Sequence, residues 1–219
     1  MSATRTEITR RRFLKAGAVT IGTIALGGAA VTVATWAPDE ELPSMEMGDG
    51  KMKVLVVYGT KSGCTTGIAE QIGKTLAERG ATVDVAPAEK AGDPASYDAV
   101  IVGSGVRAGT WHEPVRSWVT ANADALKTRP VAFYTCGMMI TQGAEKTDEV
   151  RAYTDALLAE TGLEPVDIGL FAGWFEPKEF AFAERTIMKL MKTPQGDFRD
   201  FSAVSEWTRN TAGMLGLAA

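Results

Sequence analysis

The chain has 219 residues, enough for one sizeable core, with an ordinary globular composition and a formal net charge of −4. That acidic balance argues against nucleic acid as a partner. Two cysteines without a CxxC spacing exclude a cysteine-based zinc site or an iron–sulfur cluster, and the single histidine, His112, excludes a multi-histidine metal centre, so no metal is expected.

In chain order, residues 1–37 read as a leader. A basic start is followed by a Gly-, Ala- and Thr-rich apolar run from Ala16 to Ala37, the composition of a targeting segment rather than of a Leu/Ile-rich span. The stretch Thr9-Arg10-Arg11-Arg12-Phe13-Leu14-Lys15 resembles the twin-arginine export signal at every position. The resemblance implies a twin-arginine translocase as partner, passage in the folded state and a periplasmic or extracytoplasmic location. An ordinary membrane anchor is the alternative, because the run is long enough to span if it is left uncut. Residues 38–51, "PDEELPSMEMGDGK" with Lys51, read as a polar linker, and the folded domain is expected over 52–219.

Within that domain Lys53–Tyr58 is a continuous apolar run closed by Gly59, the pattern of a buried strand. Thr65–Arg79 carries Ile68, Ile72 and Leu76 at helical spacing, with Gly80 closing the helix. Further strands are expected at Thr82–Ala86, Ala99–Ser104, Val131–Cys136 and Val166–Ala172. Further helices are expected from Pro114 through Leu126, over Glu145–Thr161, near Phe180–Lys192 and near Ala203–Leu215. Strands alternating with helices, and apolar throughout, predict an α/β three-layer sandwich: a five-stranded parallel sheet in the order 2-1-3-4-5 with helices on both faces. Ligands in such sheets sit beyond the carboxyl ends of the strands, at the switch point between strands one and three.

The loop at that point is Thr60-Lys61-Ser62-Gly63-Cys64-Thr65. It leaves a strand and enters a helix, whose first N–H groups carry about half a positive charge. The hydroxyls of Thr60, Ser62 and Thr65 add donors, and Gly63 lets the backbone turn, so the loop suits a phosphate dianion. The competing reading is a plain helix start with Thr65 as its cap. It is not a Walker A loop, since no Gly-Lys-Ser/Thr stands in the right place, and "GSGVRA" (Gly103–Ala108) follows the wrong strand for a dinucleotide fingerprint.

The "T-x-S-G-x-T" after the first strand resembles the FMN phosphate loop of flavodoxins. With "GSGVRAGTWH", "VAFYTCGM", "AGWFEPKEF" and "GDFRDFSAVSEW", the chain from Lys53 to about Ala212 resembles the flavodoxin-domain branch that contains menaquinone-dependent protoporphyrinogen IX dehydrogenases. The resemblance implies FMN as cofactor. Thr60, Ser62 and Thr65, with the N–H groups of Lys61, Gly63 and Cys64, would hold its phosphate. Gly105, Val106, Arg107 and Gly109 would border the ring on one side and Thr135, Cys136 and Gly137 on the other, with Trp111 as the available aromatic. It also implies a quinone-linked dehydrogenase, with menaquinone or a porphyrinogen-like reductant as redox partner. The alternatives are a non-catalytic electron carrier and a binding module of the same fold without flavin. No catalytic residue is assigned; His112 and Arg107 are the candidates for proton transfer and for meeting an acidic group. Cys64 and Cys136 follow strands that are not neighbours, so two free, partly buried thiols are expected. The apolar, basic-flanked segment over 180–192 reads either as a helix packed on the sheet or as a surface for a membrane or a partner.

Overall fold

The structure, a computed structural model, describes residues 19–26, 29–36, 42–107, 109–175 and 194–217, with the backbone alone for 19–36 and for Arg107. The twin-arginine stretch, the helix expected over 180–192 and the Arg107 side chain lie outside the described residues. Strands β1 (Val19–Leu26) and β2 (Ala29–Trp36) pair antiparallel in an N-terminal unit of their own, separate from the unit that starts at Leu42. Their Val, Ile and Thr residues favour extended backbone. Among the described residues no helix is long and apolar enough to cross a membrane.

The second unit is built on β4 (Met52–Gly59), whose residues Val54–Tyr58 are all fully buried. Apolar side chains on both faces require covering layers on both sides, and the chain supplies them. Helix α1 (Cys64–Glu78) follows, buries Ile68, Ile72 and Leu76 as their spacing predicts, and leads into β5 (Ala81–Pro87). Strand β6 (Ala99–Arg107) folds back as a short hairpin with β7 (Thr110–Trp111). Next come α2 (Glu113–Ala121), α3 (Ala123–Lys127) and β8 (Val131–Cys136). Helix α4 (Ala144–Thr161), β9 (Asp167–Phe171), β10 (Trp174–Phe175), β11 (Gly196–Asp197) and α5 (Phe201–Met214) complete the described elements.

The five long strands lie in the order β5-β4-β6-β8-β9, all parallel, which is the expected 2-1-3-4-5. Two details differ from the sequence reading. The single helix expected from Pro114 to Leu126 is broken at Asn122, whose side-chain amide donates to the Trp118 carbonyl at 2.8 Å, so that α3 starts separately. An element with no counterpart in that reading is β3 (Met45–Met47), inside the stretch read as linker, which pairs antiparallel with the outer edge of β5. Leu42, Met45 and Met47 pack on the core, and the Tyr58 hydroxyl donates to the Pro43 carbonyl at 2.8 Å. Covering a sheet edge in this way satisfies ladder groups that would otherwise be open.

The core has two halves. One gathers Val54, Val56, Tyr58, Ile101, Tyr134 and Phe171 with the inner faces of α1 and α5. The other gathers Leu55, Val57, Val100, Val102 and Phe133 with α2 and α4. On the α1 side, β6 offers a glycine, Gly103, where the Tyr134 ring crosses; a Cβ there would fall 1.8 Å from a ring carbon.

Candidate functional site

Three parallel strands, β4, β6 and β8, end at one edge of the sheet, and the loops leaving them meet there. The first, Thr60–Gly63, turns through Gly63 at φ 74°, where a Cβ would meet no atom, so the backbone conformation and not space demands the glycine. Helix α1 starts at Cys64 with Gly63 as N-cap, no side-chain cap and no acidic residue in its first turn. Helix α5 makes a useful contrast: Asp200 caps it, accepting from the N–H groups of Ser202 and Ala203 at 2.9 and 3.0 Å. Thr65 is therefore not the cap of α1. It lies fully buried in the first turn, and its hydroxyl has no hydrogen-bond partner among the described residues. Thr60 is buried, Ser62 half-buried and Lys61 exposed. An uncapped helix start beside an unpartnered buried hydroxyl is a donor set that suits an anion.

The end of β6 is pressed against this loop. A Cβ on Gly105 would stand 3.1 Å from the Thr65 Oγ1, and one on Gly59 would stand 2.9 Å from His112 Nδ1 and 2.2 Å from Val115. His112 is thus placed over the residue that opens the loop. Its backbone N–H donates to the Ser104 hydroxyl at 2.8 Å, and that hydroxyl donates to the Gly105 carbonyl at 2.9 Å, which ties the start of α2 to the end of β6. Val106 is half-buried and Gly109 exposed. Trp111 does not face the open edge. It is 2% exposed and packs its ring on Phe133 with centroids 5.8 Å apart.

At the end of β8 the Thr135 side chain turns to the opposite layer, sharing a 2.6 Å hydrogen bond with the Thr154 hydroxyl of α4, so only its backbone remains for a ligand. The Gly137 N–H donates to the Phe171 carbonyl at 3.0 Å. Cys136 faces α1, and its Sγ lies 3.1 Å from the Sγ of Cys64, both residues being free and buried. The two thiols are free, as expected, but they are buried and in contact although their strands are not neighbours. Only β6 stands between the two strand ends, and Gly105, the register partner of Cys136, carries no side chain to keep them apart. The Cys64 thiol is held below its ordinary value, first by its hydrogen bond with Cys136, then by a backbone contact with Trp174 and the Arg199 charge, against its burial. The same hydrogen bond and burial push Cys136 well up.

Arg199, Trp174 and Gly173 form a part of the site that the sequence reading missed. The β10–β11 pairing, Trp174 with Asp197, returns the chain to the loop. Arg199 then donates to the Cys64 carbonyl at 3.3 Å, holds Asp197 at 2.6 Å, and stacks over the Trp174 and Phe201 rings at 5.9 and 5.2 Å. Its guanidinium is held above its ordinary value by the Asp197 carboxylate. No local signal marks Arg199; its position 135 residues from Cys64 hides the contact. The recess beside Gly109, Thr110 and Trp111, about 140 Å³, lies on the α4 side and is too small for a tricyclic ring.

The sequence profile of the Flavodoxin domain family matches residues 55–202. The protoporphyrinogen IX dehydrogenase [quinone] of Escherichia coli (strain K12) is 26% identical over 161 residues, covering 71% of this chain and 89% of that protein. The protein of the same description from Leishmania major is 24% identical over 184 residues, covering 77% and 78%. Among solved structures, oxidised flavodoxin 2 from Bacillus cereus overlays 74% of this chain and 99% of its own with a TM-score of 0.48 at 18% identity.

Proposed function

This chain belongs to the flavodoxin domain family, and on that footing we propose that it is an FMN-holding oxidoreductase, a dehydrogenase that passes electrons from a porphyrinogen-like reductant to a quinone such as menaquinone. The observation that carries the reading is the start of α1, where an uncapped first turn adjoins the buried hydroxyl of Thr65, which has no partner among the described residues. A phosphate monoester uses both at once: the helix end favours its charge, and its oxygens accept from the amides and the hydroxyl. Bound there, FMN supplies one- and two-electron redox chemistry through its isoalloxazine.

The chain's own residues supply binding and orientation. The N–H groups of Lys61, Gly63 and Cys64 and the hydroxyls of Thr60, Ser62 and Thr65 hold the phosphate. Gly105 and Val106 border the ring on one side, and the backbone of Thr135, Cys136 and Gly137 borders it on the other. His112, fixed over Gly59, is the group placed to hold or move a proton at this edge. The names of the Escherichia coli and Leishmania major relatives support the quinone and the porphyrinogen class. The basic leader supports export by the twin-arginine translocase and work outside the cytoplasmic membrane.

Purification of the full chain, identification of any released flavin, and anaerobic oxidation of a reduced porphyrinogen with a menaquinone analogue test the reading. A yellow protein with stoichiometric FMN and quinone-dependent turnover is expected. A colourless protein that fails to take up added FMN refutes the cofactor. Flavin without turnover refutes the dehydrogenase and leaves an electron carrier.

A further inference from the structure

The chain has two cysteines, 72 residues apart, and the fold brings both to one spot. Their sulfurs stand 3.1 Å apart, while a disulfide needs about 2.05 Å, so closure requires a movement of roughly 1 Å. The surroundings leave room for it. Gly173 lies directly over the pair, and a Cβ there would stand 3.0 Å from the Cys64 sulfur and 3.2 Å from the Cys136 sulfur. Among the described residues no third histidine, cysteine or carboxylate joins them, so the cluster is not a metal centre. The two sulfurs also differ in kind. Cys64 is the first residue of α1, near the Arg199 guanidinium, and keeps 7% exposure; Cys136 keeps 3%. A helix start and a nearby cation stabilise a thiolate.

We propose that Cys64 and Cys136 are a reversible dithiol–disulfide pair, oxidised by thiol–disulfide exchange with a low-molecular-weight disulfide, and that the resulting bond staples the phosphate loop to the end of β8. The Cys64 thiolate attacks one sulfur of the small disulfide, breaks its S–S bond and expels one thiolate. The Cys136 sulfur, losing its proton to that thiolate, then attacks the Cys64 sulfur and expels the second. In net terms one S–S bond breaks and one forms, two protein sulfurs are oxidised, and the small disulfide takes two electrons and leaves as one thiol, protonated by Cys136, and one thiolate, which takes from solvent the proton that Cys64 released on ionising. Cys64 attacks first because it stands at a helix start beside the Arg199 guanidinium, both of which favour a thiolate.

The consequence for the ligand rests on the phosphate reading above. The staple fixes the loop whose N–H groups face the dianion, so less ordering remains to be done on binding. The oxidised form therefore holds FMN more tightly, by about fivefold.

The test uses the full chain equilibrated in buffers of reduced and oxidised glutathione, followed by thiol counting and intact mass. The expected result is loss of both thiols together, with a mass lower by two hydrogens and no adduct. C136S should trap glutathione on Cys64, and C64S should stay largely unmodified. Thiols that remain free in oxidising buffer, a persistent adduct on the unmutated chain, or an adduct on C64S instead of C136S would each overturn the pair. FMN titration of both forms then reads the second half. Equal affinities overturn the regulatory claim. If neither form binds FMN, the phosphate reading fails and the thiol result stands by itself.

Discussion

Replacement of Thr65 by valine separates a ligand-binding hydroxyl from a structural one by sign. The two side chains have nearly the same shape and both are β-branched, so the packing at this fully buried position is kept. The Thr65 hydroxyl is buried without a partner among the described residues, and an unmet buried hydroxyl costs about 1–3 kcal/mol. T65V removes that cost. The flavin-free protein should become more stable by about 1 kcal/mol, raising Tm by ~2–4 °C for a domain of this size. With phosphate bound, the same hydroxyl makes a hydrogen bond to a charged acceptor, worth about 1.5–3 kcal/mol, so FMN affinity should fall roughly 10- to 150-fold. Thermal unfolding of flavin-free protein and calorimetric FMN titration read the two effects independently. A destabilised flavin-free protein with unchanged FMN affinity would show that the hydroxyl serves the fold, and the phosphate reading would lose its main support.

Three other outcomes follow from the same contacts. Gly103→Ala drives a Cβ to 1.8 Å from the ring of the fully buried Tyr134, and overpacking on that scale should lower urea-unfolding stability by roughly 3 kcal/mol; a loss under about 0.5 kcal/mol would contradict the contact. Burial pushes the Tyr58 phenol from 10 up to about 12, so its neutral form supports the fold fully below pH 10, and that support is lost as pH rises toward 12. Chemical denaturation across that window should show stability falling, with a shallower fall in Tyr58→Phe; identical slopes would remove Tyr58 from the account. Arg199→Ala takes a cation from the Cys64 thiolate and should slow alkylation of that sulfur at neutral pH roughly threefold, whereas Arg199→Lys restores part of the rate.

Where structure depends on local pattern, the sequence shows it. Val131–Cys136 is a mostly apolar run and forms β8 over that range, and the Ile68, Ile72, Leu76 spacing marks the buried face of α1. Where structure depends on a distant partner, the sequence is silent. Met45–Met47 is a strand only because β5 offers an edge, and three residues carry no period of their own. The break at Asn122 falls within "ANADALK", which contains neither Gly nor Pro. The turn from β4 into α1 at Thr60–Gly63 was legible because its hydroxyls and glycine are consecutive. The thiol pair was not, since its contact passes across an intervening strand.

That crossing shows how the site is specified. Gly59, Gly105 and Gly173 are not among the glycines with left-handed backbone, so conformational freedom does not account for them. Each instead leaves a space that neighbouring side chains fill, Val115 as well as His112 in the case of Gly59. A Cβ would meet His112 Nδ1 at position 59, the Thr65 hydroxyl at 105, and both sulfurs at 173. Glycine within a strand or beside one costs about 0.5–1 kcal/mol relative to alanine. A fold selected for stability alone would fill such spaces with side chains and move the neighbours aside. Keeping three of them around one helix start brings a histidine, a hydroxyl and a dithiol within contact of the loop. The same absences set an order of sensitivity. Alanine at 105 should weaken the phosphate ligand without touching the thiols, and alanine at 173 should slow disulfide closure without touching the Thr65 hydroxyl. Coupled loss of both properties in either variant would mean that the loop moves as one rigid piece, and that the glycines are not separate allowances for separate atoms.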